Sequence, residues 1–217
     1  MFDVAVVAAL AAAVLFARWL LSTRASGGFF PAISVGSCAV IAVVATVPVV
    51  VRAHLNGQLG HAASKLIGLP VTVNCQTFTG SSLDLGNELG WVAWGSDGRP
   101  EHKTLIKHQQ CNDLQAYLDS DKRHPSDAQV QAVHVLTHES MHMAGNTNEA
   151  VAECYATQRD AEMAELLGAS RQDARQLAER YWRLFYPRMP AAYTTSDCRP
   201  GGGLDLQLAT PAWESDF

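Results

Sequence analysis

"SDAQVQAVHVLTHESMHMAGNTNEAVAEC", residues 126–154, decides how the chain is read. It opens on Ser126-Asp127-Ala128-Gln129, a capping-box pattern: the serine side chain accepts from the Gln129 backbone N–H, and the glutamine reaches back to that of Ser126. A helix is predicted from there to about Met143, stopped at Gly145 because glycine takes the left-handed conformation that ends helices. A second helix is predicted over about 147–167, ended by Gly168, and a third between Ser170 and Pro187.

The first helix carries unusual side chains for a buried, alanine-rich segment. In His138-Glu139-Ser140-Met141-His142 the histidines are four residues apart, so on a helix they lie one turn apart on one face and can bind a single ion. Glu139 between them is left free to act as a general base. Zinc in a catalytic site takes three protein ligands and keeps the fourth position for water, so a third ligand is needed. Glu149 is the candidate, because a turn at Gly145 folds the next helix back against the ends of both histidines. Glu153, one turn further on, is placed to accept a hydrogen bond from the far nitrogen of a ligand histidine. The competing reading of Glu149 is a second capping box, Asn146-Thr147-Asn148-Glu149, in which it only satisfies a backbone N–H. His134, one turn before His138, reads either as a ligand or proton shuttle or, more simply, as a core histidine or one supporting the site.

Upstream, "PVTVNCQTF" (70–78) alternates like a strand, and "GWVAWG" (90–95) and "KTLIKH" (103–108) flank the turn-forming "SDGRP" as a hairpin. "CNDLQAYLD" suggests a short helix before the capping box. The soluble part is therefore expected to be α+β, mainly helical with a small antiparallel sheet. "GWVAWG" reads either as an edge strand that pairs with an extended substrate or as a hairpin strand with buried tryptophans. Tyr155, Tyr181, Tyr186 and Tyr193 are all candidate donors to an oxyanion, and the sequence does not choose among them.

Of the 217 residues, the first 51 carry only Asp3, Arg18 and Arg24 as charges. Phe29 to Val51 is uncharged throughout, and about 20 such residues cross a bilayer as a helix. Val4 to Leu21 is interrupted by Arg18, whose head group can snorkel to the interface beside Trp19. A transmembrane hairpin (residues 1–52, spans at about 4–21 and 29–51) is expected, with no leader-like cleavage site. It precedes a catalytic domain at 53–190 and a loose tail at 191–217 tied by Cys198. The net charge of -5 gives no basic face for nucleic acid. Outside the second span stand Cys75, Cys111, Cys154 and Cys198, an even number that suits disulfides in an oxidising compartment. Three pairings are open; Cys75 with Cys111 and Cys154 with Cys198 is preferred, since it brackets the strands and pins the tail. The expected location is integral to the cell membrane, with the domain on the extracytoplasmic side.

"HESMH" followed by "NEAVAE" resembles the gluzincin branch of zinc metallopeptidases. Carried over, the resemblance implies a zincin-like fold with His138, His142 and Glu149 as zinc ligands, Glu139 as base and Glu153 as the supporting acid. Six residues separate His142 from Glu149, fewer than in better-known members. "HESMHMAGNTNE" is also similar to the metzincin pattern, with Asn148, a poor zinc ligand, where its third histidine belongs. The function expected is zinc-dependent hydrolysis of a peptide or protein substrate at the membrane. A catalytically silent binding or scaffold domain, and a hydrolase of another cell-envelope amide, are the alternatives.

Overall fold

The computed structural model describes residues 49–77, 80, 86, 88–209 and 212–213, together with positions 11, 14, 15 and 18. The chain divides into two compact units, Met1–Leu55 and Asn56–Phe217. Helix α1 spans residues 49–67. Strands β1 (Thr72–Cys75), β2 (Gly90–Trp94) and β3 (Pro100–Ile106) follow, then helices α2 (His108–Asp119), α3 (Asp127–Met143), α4 (Glu149–Leu166) and α5 (Arg171–Leu184). Two short 3-10 turns, Tyr186–Arg188 and Ala191–Tyr193, lead into the tail.

The architecture is α+β, with five helices and one mixed sheet among the described residues. The sheet order is β1-β3-β2, with β3 in the middle. β2 and β3 form the expected antiparallel hairpin, Val92 opposite Thr104, closed by Gly98 at φ +73° and by hydrogen bonds from Gly95 N to Arg99 O and from Gly98 N to Gly95 O. β1 runs parallel to β3, with Val73 opposite Thr104, so the expected antiparallel sheet is corrected to a mixed one. Local patterning predicts strands but not their direction of pairing, which is set by partners distant in sequence.

The expected membrane spans fall at about 4–21 and 29–51, and apart from positions 11, 14, 15, 18 and 49–51 they lie outside the described residues. Among the described residues no helix is long and apolar enough to cross a membrane. α1 continues past the expected end of the second span, with His54, Gln58, His61 and Lys65 on its exposed face, polar groups that hydrocarbon does not accept. The expected fold with two transmembrane helices, and the integral membrane location that rested on it, are corrected accordingly.

Inside the second unit, α3 packs on α4 and α4 on α5. Buried Ala152, Ala156 and Ala164 on α4 let its neighbours approach closely, while Leu114, Tyr117, Val130, Leu136, Met163 and Leu177 fill the core. Helix ends fall where local chemistry puts them. Ser126 and Gln129 form the full capping box, Gly145 sits at φ +104°, and Ser170 caps α5 through Asp173 N. Two disulfides are formed. Cys75–Cys111 ties the end of β1 to α2 across 36 residues, and Cys154–Cys198 ties α4 to the tail across 44. The tail is also held by buried Gln158, whose Nε2 donates to Leu204 O at 2.9 Å and whose Oε1 accepts from Leu206 N at 2.8 Å. Trp213 packs edge-on against Trp182. A segment with few apolar positions is thus docked through its backbone.

Candidate metal centre

The turn at Gly145 makes α3 and α4 an antiparallel hairpin, and the side chains of the site follow from its register. Each step back by a turn on α3 meets a step forward on α4. His142 faces Glu149, His138 faces Glu149 and Glu153, and His134 faces Glu153 and Asp160. Helical spacing of four on one element and of four and seven on the other makes one continuous polar seam through an otherwise apolar interface.

The outer end of the seam gathers groups that could hold a cation. His142 Nδ1 donates to Asn146 O at 2.7 Å, and His138 Nδ1 donates to Glu153 Oε2 at 2.9 Å. A carbonyl and a carboxylate only accept, so both imidazoles carry hydrogen on Nδ1 and turn Nε2 towards each other. The two Nε2 atoms stand 2.9 Å apart, and Glu149 Oε2 is 3.2 Å from each. Ligand bonds of about 2.0–2.1 Å in tetrahedral arrangement put ligand atoms roughly 3.3 Å apart, close to this triangle. His138, His142 and Glu149 therefore form a group able to hold a metal ion. The histidines are buried, whereas the Glu149 side chain is 44% exposed and leaves that flank open.

Glu149 is the first residue of α4, and its cap is Asn148, whose side chain accepts from Val151 N. The capping-box reading of Glu149 fails for that reason, since the helix begins two residues later than 147. Hydrogen bonds from His138 and the charge of the histidines hold its carboxyl below the ordinary value, against the effect of burial.

Behind the triangle lies a buried support. Glu153 accepts from His138 Nδ1, from His134 Nε2 at 3.0 Å and, on its other oxygen, from the Tyr181 hydroxyl at 2.6 Å. Burial opposes its charge, yet His134 and His138 keep it well below the usual carboxylate range. His134 also donates Nδ1 to Asp160 at 2.8 Å and stacks on the Tyr181 ring at 3.5 Å. Burial opposes the imidazolium, but Asp160 and Glu153 outweigh it and push His134 up to about 10. His134, His138 and Glu153 also lie close enough together to hold a metal ion. Their polar atoms, however, are already matched donor to acceptor in a closed interior. They read as the frame that fixes His138.

Glu139 projects to the other side of α3, towards the sheet, where it is 4% exposed. Burial, reinforced by Glu149 and opposed by His138 and Thr104, raises its carboxyl to about 7. It lines a cleft of about 610 Å³ together with His138, His142 and Glu149. The cleft is walled by Gly90 and Trp91 of β2, Val135 of α3, Phe185, Met189 and Tyr193. Among the described residues β2 is an edge strand, and Trp91 and Trp94 are 39% and 49% exposed rather than buried. Of the four tyrosines, Tyr181 is consumed by Glu153, and the Tyr186 hydroxyl lies 3.5 Å from Thr195 N. Tyr155 is not among the cleft residues, whereas Tyr193 is, its ring 5.9 Å from that of His138.

Asp160 and Tyr181 are the supporting residues that sequence reasoning missed. Asp160 carried a signal, since it lies seven residues after Glu153 on the same face of α4. Tyr181 carried none beyond its position on an amphipathic helix. No family model, no curated protein and no solved structure matches this chain.

Proposed function

We propose that the chain is a zinc-dependent hydrolase of peptide bonds, with His138, His142 and Glu149 as ligands and Glu139 as general base. The observation that carries this reading is the pair of Nε2 atoms 2.9 Å apart, each aimed by a hydrogen bond on its Nδ1, with Glu149 Oε2 closing the triangle. Two imidazole lone pairs do not rest against each other without a proton or a cation between them. Zinc suits an imidazole and carboxylate donor set, and when bound it supplies Lewis acidity that lowers the pKa of water and polarises a carbonyl.

The chain's own residues supply the rest. Glu139, raised to about 7 by burial, is matched to taking a proton from water at neutral pH and delivering it to a leaving amine. Glu153 and Asn146 O hold the ligand imidazoles in the productive tautomer. The free edge of β2 offers backbone groups to an extended peptide, and the exposed tryptophans offer it apolar contact. Tyr193 is the tyrosine placed to donate to a developing oxyanion. Burial, with the negative charge of Glu149 and Glu153, raises its hydroxyl, so it remains a donor. A silent scaffold is less well supported, because a structural site is closed by its ligands and this one keeps a half-open carboxylate on a cleft.

Metal analysis of the purified chain, followed by peptide hydrolysis with chelator and with zinc restored, tests the proposal. About one zinc per chain and activity that follows the metal are expected. A protein that takes up no zinc at neutral pH would end this reading.

A further inference from the structure

The ligand histidines are positioned by groups on α4 and by the Gly145 turn, whereas Glu139 faces the sheet and needs a different support. Two residues supply it. Gly90 on β2 has no left-handed φ, so the backbone does not require glycine there. A Cβ built at Gly90 would lie 2.9 Å from Glu139 Oε1 and 3.1 Å from both its Cδ and its Cγ, and these are its three nearest neighbours. The missing methyl is the space in which the carboxylate sits. On the other side the Thr104 hydroxyl, 1% exposed as a residue, lies 3.0 Å from Trp91 O and 3.4 Å from Glu139 Oε2 and can give its one proton to either. Val92 and Thr104 are opposite each other in the hairpin, so β2 and β3 hold Gly90 and the Thr104 hydroxyl in fixed relation.

We infer that Gly90 and Thr104 are positioning residues for the general base, forming a slot in the β2–β3 hairpin that sets where the Glu139 carboxylate stands. The inference rests on the reading of Glu139 as base, and it adds that the edge strand and the base are one mechanical unit. The chemistry is asymmetric. The atoms that a Gly90→Ala methyl meets, Cγ, Cδ and Oε1, all belong to the Glu139 side chain rather than to backbone, so the fold can accommodate the change by turning Glu139 away. A displacement of about 1 Å at a reacting group costs on the order of 10²-fold in rate.

The test uses the full chain with Gly90→Ala, Thr104→Val and Thr104→Ser, and Glu139→Gln as reference. Gly90→Ala is expected to bind zinc as wild type does and to lose about 10²-fold in kcat, with a far smaller change in KM. Thr104→Val should lose about 10-fold in kcat and Thr104→Ser should restore it, because serine keeps the hydroxyl while valine keeps only the shape. Crystal structures of Gly90→Ala and Thr104→Val should show the Glu139 carboxylate moved from its slot. A carboxylate unmoved in both, or wild-type kcat in both, overturns the inference. Wild-type turnover in Glu139→Gln would instead overturn the base assignment, and the crystal structures would still decide whether the slot positions Glu139.

Discussion

His138 and His142 present their Nε2 atoms to each other at 2.9 Å, a separation that stands only with something positive between them. Without metal that something is a proton. Burial disfavours charge on His138, but hydrogen bonds to Glu149 and Glu153 outweigh it and push its pKa up to about 9. His142 is shifted the other way, by burial and by the charge of His138, so the pair holds one proton rather than two.

Zinc must displace that proton. Below about pH 9 the metal-free site is protonated and metal competes with it; above about pH 9 the competition ends. Apparent zinc affinity is therefore expected to rise about tenfold per pH unit from neutral pH and to flatten near pH 9, with about one proton released per ion at pH 7. Competition against a chromophoric chelator across that range, and calorimetry in buffers of different ionisation heat, measure both quantities. An affinity independent of pH would mean that the two nitrogens are not the ligands.

Glu149, Glu153 and Asn148 separate three roles that adjacent positions on one helix would otherwise confuse. Glu149→Ala removes a ligand atom and should weaken zinc binding most. Glu153→Ala leaves the ligands and should cost about 10–100-fold in affinity through His138, the range found when a ligand's supporting partner is lost. Asn148→Ala should leave affinity alone and lower stability by about 1 kcal/mol, as loss of an N-cap does. Thermal melts of the metal-free proteins and zinc titrations of all three give the order. Equal zinc affinity in Glu149→Ala and wild type would move the third ligand elsewhere.

The helices and the outer site were legible because their causes are local. A capping box, two left-handed glycines and a serine cap mark the ends of α3 to α5, and the four-residue spacing of His138 and His142 needs only a helix to become geometry. The cap of α4 was misplaced by two residues because Asn146 and Asn148 are both capable caps, and only the tertiary turn selects Asn148. Partners that arrive from far along the chain were not legible. Thr104 lies 35 residues from Glu139, and Tyr181 lies 28 from Glu153. No local pattern links such pairs, and the parallel pairing of β1 was missed for the same reason.

His134 is expected to be a stability residue with a pH signature. Replacing it by leucine takes from Asp160 its imidazole partner and leaves Glu153 with only His138 and the Tyr181 hydroxyl, and breaking such a buried ion cluster costs about 3–5 kcal/mol. The wild-type contribution has a definite sign. The folded pKa of about 10 lies above the ordinary 6.5, so the folded state binds more protons between those values. That stability is fully present below about pH 6.5 and is lost as the pH rises towards 10. Urea unfolding of the metal-free protein at pH 6, 8 and 10 should show stability falling in wild type. In His134→Leu the part of that fall owed to the imidazolium should be absent. A flat pH dependence in wild type would deny the imidazolium.

Cys154 follows Glu153 directly, and its disulfide to Cys198 fixes the chain five residues beyond Tyr193. The bridge therefore connects the supporting frame of the site to the segment that brings Tyr193 into the cleft. Removing it with Cys154→Ala and Cys198→Ala together should cost about 2–5 kcal/mol of stability, the usual range for a native disulfide. The proposed zinc ligands lie on α3 and at the start of α4 and do not depend on the tail, so metal affinity should stay within a few fold of wild type. Activity should fall more than affinity, because the tail remains held by Gln158 but Tyr193 is no longer fixed. Tyr193→Phe in the intact chain isolates the hydroxyl, and its loss should cost about 10²–10³-fold in kcat, as removal of an oxyanion donor does. If the tether acts through Tyr193, the disulfide variant carrying Tyr193→Phe is no slower than Tyr193→Phe alone. A further drop in the combined variant would show that the bridge acts on the site by another route, through Glu153.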